Sequence, residues 1–73
     1  MPDRDLHHAV VRHALARVAW PGREVLVQHD VSERTMPDIA ASLGIPVNTG
    51  YARLRRARTM LRHALDDLGH EQT

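Results

Sequence analysis

Hydrophobic positions recur at helical spacing along nearly the whole chain. Leu6, Val10, Ala14 and Val18 follow one another every fourth residue, and Ala9, Val11 and Leu15 widen the stripe. This predicts an amphipathic helix from about Leu6 to Ala19, with the polar stretch Met1 to Asp5 frayed ahead of it. Asp3 and Asp5 fall at its start, where the helix dipole favours acids. Trp20-Pro21-Gly22 cannot continue it smoothly, because the residue before a proline is pushed out of the helical region. Pro21 suits the first turn of a second helix, with Glu24 close behind, and Val25, Leu26 and His29 supply that helix's inward face. The pattern stops near Asp30 or Val31 and leaves Ser32 to Arg34 as a loop.

Thr35 is placed to cap a third helix. Its hydroxyl can accept the Asp38 N–H, and the Asp38 carboxylate can reach back as a short capping box. Ile39, Ala40 and Leu43 face inward, and Gly44 ends the helix in a left-handed conformation that glycine adopts most readily. Pro46 opens the last helix. Its inner face is Val47, Gly50 or Tyr51, Leu54, Ala57, Leu61, Ala64 or Leu65, and Leu68, and Gly69 closes the fold. The expected fold class is therefore all-α, a four- to five-helix bundle, with residues 1–73 forming one domain. Short helix, tight turn and long helix, over about residues 36–66, make a C-terminal helix-turn-helix, whose second helix enters the major groove of DNA. Ala40, Gly44 and Val47 are small or branched where the two helices must cross closely.

Composition narrows the classes. Seventy-three residues support one small core, and the absence of cysteine removes disulfides and thiolate metal sites. The apolar residues are Ala, Val and Leu with almost no aromatics, which favours helices over a β-sandwich. No apolar run reaches membrane-spanning length and no signal-peptide pattern is visible, so the expected location is the cytoplasm. The net charge of +1 matters less than its distribution. Every basic residue is arginine, and between Asp38 and Asp66 there is no acid but five arginines: Arg53, Arg55, Arg56, Arg58 and Arg62. A one-sided basic stripe on a single helix is the electrostatic footprint of a polyanion binder.

The outer face of the last helix carries the matching chemistry. Asn48, Thr49, Tyr51, Ala52, Arg55 and Arg56 occupy its first turns. Arginine can bond guanine bidentately, asparagine can do so with adenine, and threonine and tyrosine can contact phosphate or a thymine methyl. Arg53, Arg58 and Arg62 lie further round or further along and are assigned to phosphate or protein contacts. Metal binding and catalysis fare worse. His7 and His8 are adjacent and point apart, while His13, His29, His63 and His70 are scattered without carboxylates at ligand spacing. Ser32 and Ser42, the only serines, lack a base and an orienting acid. Trp20 is expected to plug the helix junction. No catalytic, cofactor-binding or metal site is expected, and the chain is not expected to be an enzyme.

The runs REVLVQHDV and MPDIAASLGIPVNTGYARLRRARTMLRHAL resemble region 4 of bacterial sigma factors of the extracytoplasmic-function group. Arg23 to Leu26, Asp38 to Ile45 and Thr49 to Arg58 carry the likeness, which covers about Leu15 to Leu65. The resemblance implies that Asn48, Tyr51, Ala52, Arg55 and Arg56 face the minus-35 promoter element in double-stranded DNA, with Arg53 and Arg58 bracing or binding backbone. It also implies docking on the β flap of core RNA polymerase, possible occlusion by an anti-sigma factor, and a monomeric domain. Three departures stand out. The proline before the Arg-Glu helix comes two places late, at Pro21. Glu33-Arg34-Thr35 replaces the usual Gly-Leu-Ser, so that Arg34 stands where the family tends to bury a residue. Gly50 replaces a packed Val or Ala, which is expected to loosen the helix start by up to about 1 kcal/mol relative to Ala. No stretch resembles region 2, so the chain is expected to be an excised domain or a solitary region 4 protein, unable to initiate transcription alone. Two other classes compete: a dimeric helix-turn-helix regulator, and a protein-interaction module for an anti-sigma factor or the polymerase flap.

Overall fold

The structure is a computed structural model that describes the backbone of residues 2–71 and the side chains of residues 8–69. It contains four helices and, among the described residues, no strand: α1 (Pro2–Ala16), α2 (Gly22–Leu26), α3 (Met36–Leu43) and α4 (Val47–Glu71). The all-α class and the helix-turn-helix are as the periodicity predicts.

Helix α1 begins at Pro2, ahead of the expected Leu6, and ends at Ala16, short of Ala19. Proline suits a first turn, since its missing N–H has no helical partner to lose. At the other end Arg17 and Val18 donate to the Ala14 and Leu15 carbonyls at 3.1 and 3.0 Å. These three-residue bonds tighten the last turn and swing Val18 into the core. The side chains of Leu6, Asp3, Asp5, His7 and His70 lie outside the described residues.

Trp20 is not a plug. It is 62% exposed, and the contact expected of it is made by Gly22. A Cβ at Gly22 would sit 3.3 Å from the Ala57 Cβ and 3.5 Å from the Arg53 carbonyl oxygen, so the start of α2 rests directly on α4. Beyond Leu26 the helix widens into a π turn over Val27–Val31, closed by Ser32 N–H donating to the Val27 carbonyl at 3.0 Å. Glu33 then takes a positive φ of 57°. The resemblance puts a glycine at this position, and the left-handed backbone explains the preference.

Arg34 replaces an apolar contact with polar ones. Its guanidinium donates to the Gln28 side-chain oxygen, to Ser42 Oγ at 3.0 Å and to the Asp38 carbonyl at 3.5 Å. The loop is thereby tied to the π turn on one side and α3 on the other. Thr35 Oγ1 accepts the Asp38 N–H at 3.4 Å as predicted. Among the described residues, the return bond from the Asp38 carboxylate is not formed. Helix α3 ends as a Schellman motif, with Gly44 at φ 68°, Gly44 N–H donating to Ala41 and Ile45 N–H to Ala40.

The core joins Val18, Val25, Leu26, Met36, Ile39, Leu54 and Ala57, with Leu15, Leu43 and Leu61 packed against it. Val47 was expected in it but is 37% exposed, and of the pair Gly50 or Tyr51 it is Gly50 that faces inward. The close approach of α3 to α4 falls at Met36 and Gly50. Gly44 has nothing within 4 Å of a Cβ and is needed for its φ alone. A Cβ at Gly50 would meet Met36 Sδ at 2.5 Å. Glycine here is therefore a seat for a buried methionine, which corrects the expectation of a merely loosened helix. Gly69 does not stop α4, which continues to Glu71.

Candidate nucleic-acid interface

Helix α4 is 25 residues long, about 37 Å at 1.5 Å per residue. Its inward stripe is Gly50, Leu54, Ala57, Leu61 and Ala64, spaced by three or four residues and buried or half-buried against α1–α3. That packing fixes the rotation of the helix about its axis, and the rotation decides which side chains face outward.

Each expected contact residue can then be placed. Asn48, Arg55 and Arg56 are exposed, and Tyr51 is 42% exposed. Thr49 and Arg53 are half-buried at the edge of the face, and Ala52 is half-buried within it. Asn48, Ala52, Arg55 and Arg56 form one continuous outward patch at four-, three- and one-residue steps. Thr59 extends the same face by one turn and was not singled out from the sequence. Its hydroxyl donates to the Arg55 carbonyl at 3.1 Å, so its polar atom is turned to its own helix. Among the described residues neither Arg55 nor Arg56 has an ion-pair partner, which leaves both guanidinium groups directed to solvent.

Arg58 differs. Its Nε and Nη2 donate to the two carboxylate oxygens of Asp30 at 2.9 and 2.6 Å, a fork-to-fork bridge from α4 to the π turn. Asp30 also pairs with His29 Nδ1 at 2.8 Å. The hydrogen bonds from Arg58 dominate and hold the Asp30 carboxyl down at about 2, against a smaller opposing effect of burial. The same bonds raise the Arg58 pKa above its ordinary value. The acid partner of Arg58 lies not on α4 but on the π turn. Their separation of 28 residues is why periodicity within one helix could not reveal it. The bridge ties α4 to the π turn through Arg58.

A second surface lies where α1 passes the π turn. His8, Val11, Arg12, Leu15 and Val31 line a groove of about 410 Å³, with Val31 65% exposed at its lip. A smaller hollow of about 210 Å³ lies between Arg17 and the Met60–Asp67 stretch of α4, bridged by the Arg17–Asp67 ion pair at 3.3 Å. Among the described residues no group of histidines and acids could hold a metal ion, and no helix is long and apolar enough to cross a membrane.

Comparison with known proteins agrees with this geometry. No curated protein and no solved structure gives a match. The family described as sigma-70, region 4 does match, over residues 8–61, a span that takes in most of α1, all of α2 and α3, and the outward patch of α4. A four-helix domain ending in a helix-turn-helix, with an arginine-rich second helix and a family match over most of its length, belongs to the sigma-70 region 4 family.

Proposed function

We propose that this domain reads the minus-35 element of promoter DNA as the region 4 part of an RNA polymerase sigma factor. Region 4 is a DNA-binding, non-enzymatic domain that serves promoter recognition in transcription initiation. The observation that carries the finer reading is the outward patch of Asn48, Arg55 and Arg56, flanked by Tyr51. Among the described residues these are hydrogen-bond donors without protein partners, on the first turns of a packed helix, the part of a recognition helix that reaches base edges. Arg55 and Arg56 suit guanine, and Asn48 suits adenine. Thr49, Tyr51 and Arg53 lie at the margins, where phosphates run, and Ala52 offers a methyl group between them. Arg58 braces the helix or reaches the DNA backbone.

The groove lined by Val11, Leu15 and Val31 supports docking on the β flap of core polymerase, since it offers an apolar floor with Arg12 at its rim. An anti-sigma factor would compete for these same surfaces, and the domain acts as a cytoplasmic monomer. Selection of sites from a random duplex pool, run beside the Arg55→Ala, Arg56→Ala double variant, tests the DNA reading. One short block recovered by the natural chain and lost in the variant is the expected result. A spaced palindrome would instead indicate a dimeric regulator. Binding that salt abolishes equally for every sequence would leave only phosphate contact. For the flap, Val31→Asp is expected to abolish retention on a β-flap fragment while leaving site selection intact.

A further inference from the structure

Tyr51, Arg55, Arg58 and Arg62 lie four, three and four residues apart, and so form a single stripe along α4. Among the described residues the guanidinium groups of Arg55 and Arg62 make no ion pair, while that of Arg58 between them is occupied along its Nε–Nη2 edge by Asp30. A carboxylate bridged in this way matches the geometry with which arginine takes a phosphate: two parallel N–H···O bonds to two oxygens of one anion. The Arg58 side chain is half exposed, and that of Asp30 is one-third exposed, so the pair sits at the surface.

We propose that Arg58 is a latent phosphate site of the recognition helix and that Asp30 is its built-in competitor, an internal anion that lowers the affinity of the domain for DNA. The proposal rests on the reading that this side of α4 faces the duplex. A backbone phosphate that takes the Nε–Nη2 edge of Arg58 must displace Asp30, and the displaced carboxylate then stands without its arginine beside a polyanion. The exchange is therefore unfavourable, and while the bridge holds the Asp30 charge offsets that of Arg58, so that Arg58 adds little to the release of counterions from DNA. His29 Nδ1 lies 2.8 Å from Oδ1 of Asp30, the oxygen that Arg58 Nη2 also holds, and helps to keep the carboxylate in place for the bridge. The consequence is a region 4 surface with one fewer sequence-independent contact than its arginine count suggests, so more of its binding depends on the base-facing residues.

The test is a salt series of duplex binding with the full chain, its Asp30→Asn variant, the Asp30→Asn, Arg58→Ala double variant, and the Arg55→Ala, Arg56→Ala variant. Releasing one phosphate-neutralising cation steepens the dependence of log K on log salt by about 0.9. The advantage of Asp30→Asn over the natural chain is thus expected to be about 3.5-fold larger at about 50 mM than at about 200 mM salt. Adding Arg58→Ala should cancel that gain. Circular dichroism checks the helix content, and Asp30→Ser serves in its place should Asp30→Asn fail to fold. Weaker binding by Asp30→Asn, or an unchanged slope, would overturn the proposal while loss of binding in Arg55→Ala, Arg56→Ala leaves the DNA-facing reading intact. Equal binding by all four proteins, or none by any at low salt, would overturn both.

Discussion

Replacing Gly50 by alanine tests how tightly α3 and α4 are locked together at the start of the recognition helix. The new Cβ would lie 2.5 Å from Met36 Sδ, 3.4 Å from its Cγ and 3.7 Å from its Cε. Ordinary contact begins near 3.5 Å, so the sulfur must retreat by about 1 Å. Met36 is 1% exposed and enclosed by the core, which limits where it can go. Overpacking of this kind costs about 1–3 kcal/mol, and methionine's three rotatable bonds favour the lower part of that range. Alanine offsets part of it through a helix propensity about 1 kcal/mol better than glycine's. The net expectation is a loss of about 0–2 kcal/mol, or up to roughly 15 °C in Tm for a domain of this size.

The decisive measurement is a double-mutant cycle with Met36→Ala, followed by urea denaturation monitored by far-UV circular dichroism. Met36→Ala alone costs about 2–5 kcal/mol, so an excluded osmolyte at fixed concentration keeps all four proteins folded without denaturant. With the sulfur gone, Gly50→Ala is expected to stabilise by about 1 kcal/mol. The coupling is then about 1–3 kcal/mol, the whole of the overpacking cost. Equal effects of Gly50→Ala in both backgrounds, within about 0.5 kcal/mol, would refute the reasoning. Glycine would then stand at this position without being a seat for Met36.

Other expectations follow from single residues. The depressed Asp30 pKa of about 2 lies below the unfolded value of about 3.9, so the bridge stabilises the fold fully above about pH 4 and loses that effect as pH falls through about 2. The stability difference between the natural chain and Asp30→Asn should therefore shrink on acidification, and a pH-independent difference would contradict the bridge. Thr35→Ala removes the α3 cap and should cost about 0.5–1 kcal/mol in urea melts, the lower part of the usual range because the bond is long at 3.4 Å. An unchanged midpoint would show that the cap contributes nothing. The two left-handed positions predict opposite signs in the same assay. Gly44→Ala should destabilise by about 1–2 kcal/mol, with no steric clash involved, and Glu33→Gly should stabilise by up to about 1 kcal/mol. The same sign at both would refute the backbone argument.

Local rules suffice for much of this protein. Four apolar stripes, the Thr35 cap, the Gly44 terminus and the arginine-rich outer face depend on residues within a few positions of one another, and all are legible in the chain. The family likeness rests on the same short runs. Helix ends were less legible: α1 stops early because its last turn tightens to bury Val18, and α4 passes through Gly69, which no packing constraint forces it to obey as a stop. The sequence also could not reveal interactions between elements. Trp20 looked like a plug, but docking of Gly22 on Ala57 took that contact and left the indole outside. Gly50 looked like a weak point because the sulfur it accommodates comes from another helix. Arg58 was left between phosphate and protein contacts because its carboxylate lies on a turn across the fold. The sequence by itself determined which helices form and which face of the last one is basic. Only the tertiary structure decided which of those arginines is paired within the fold, because a pairing between distant side chains exists only once their elements have packed.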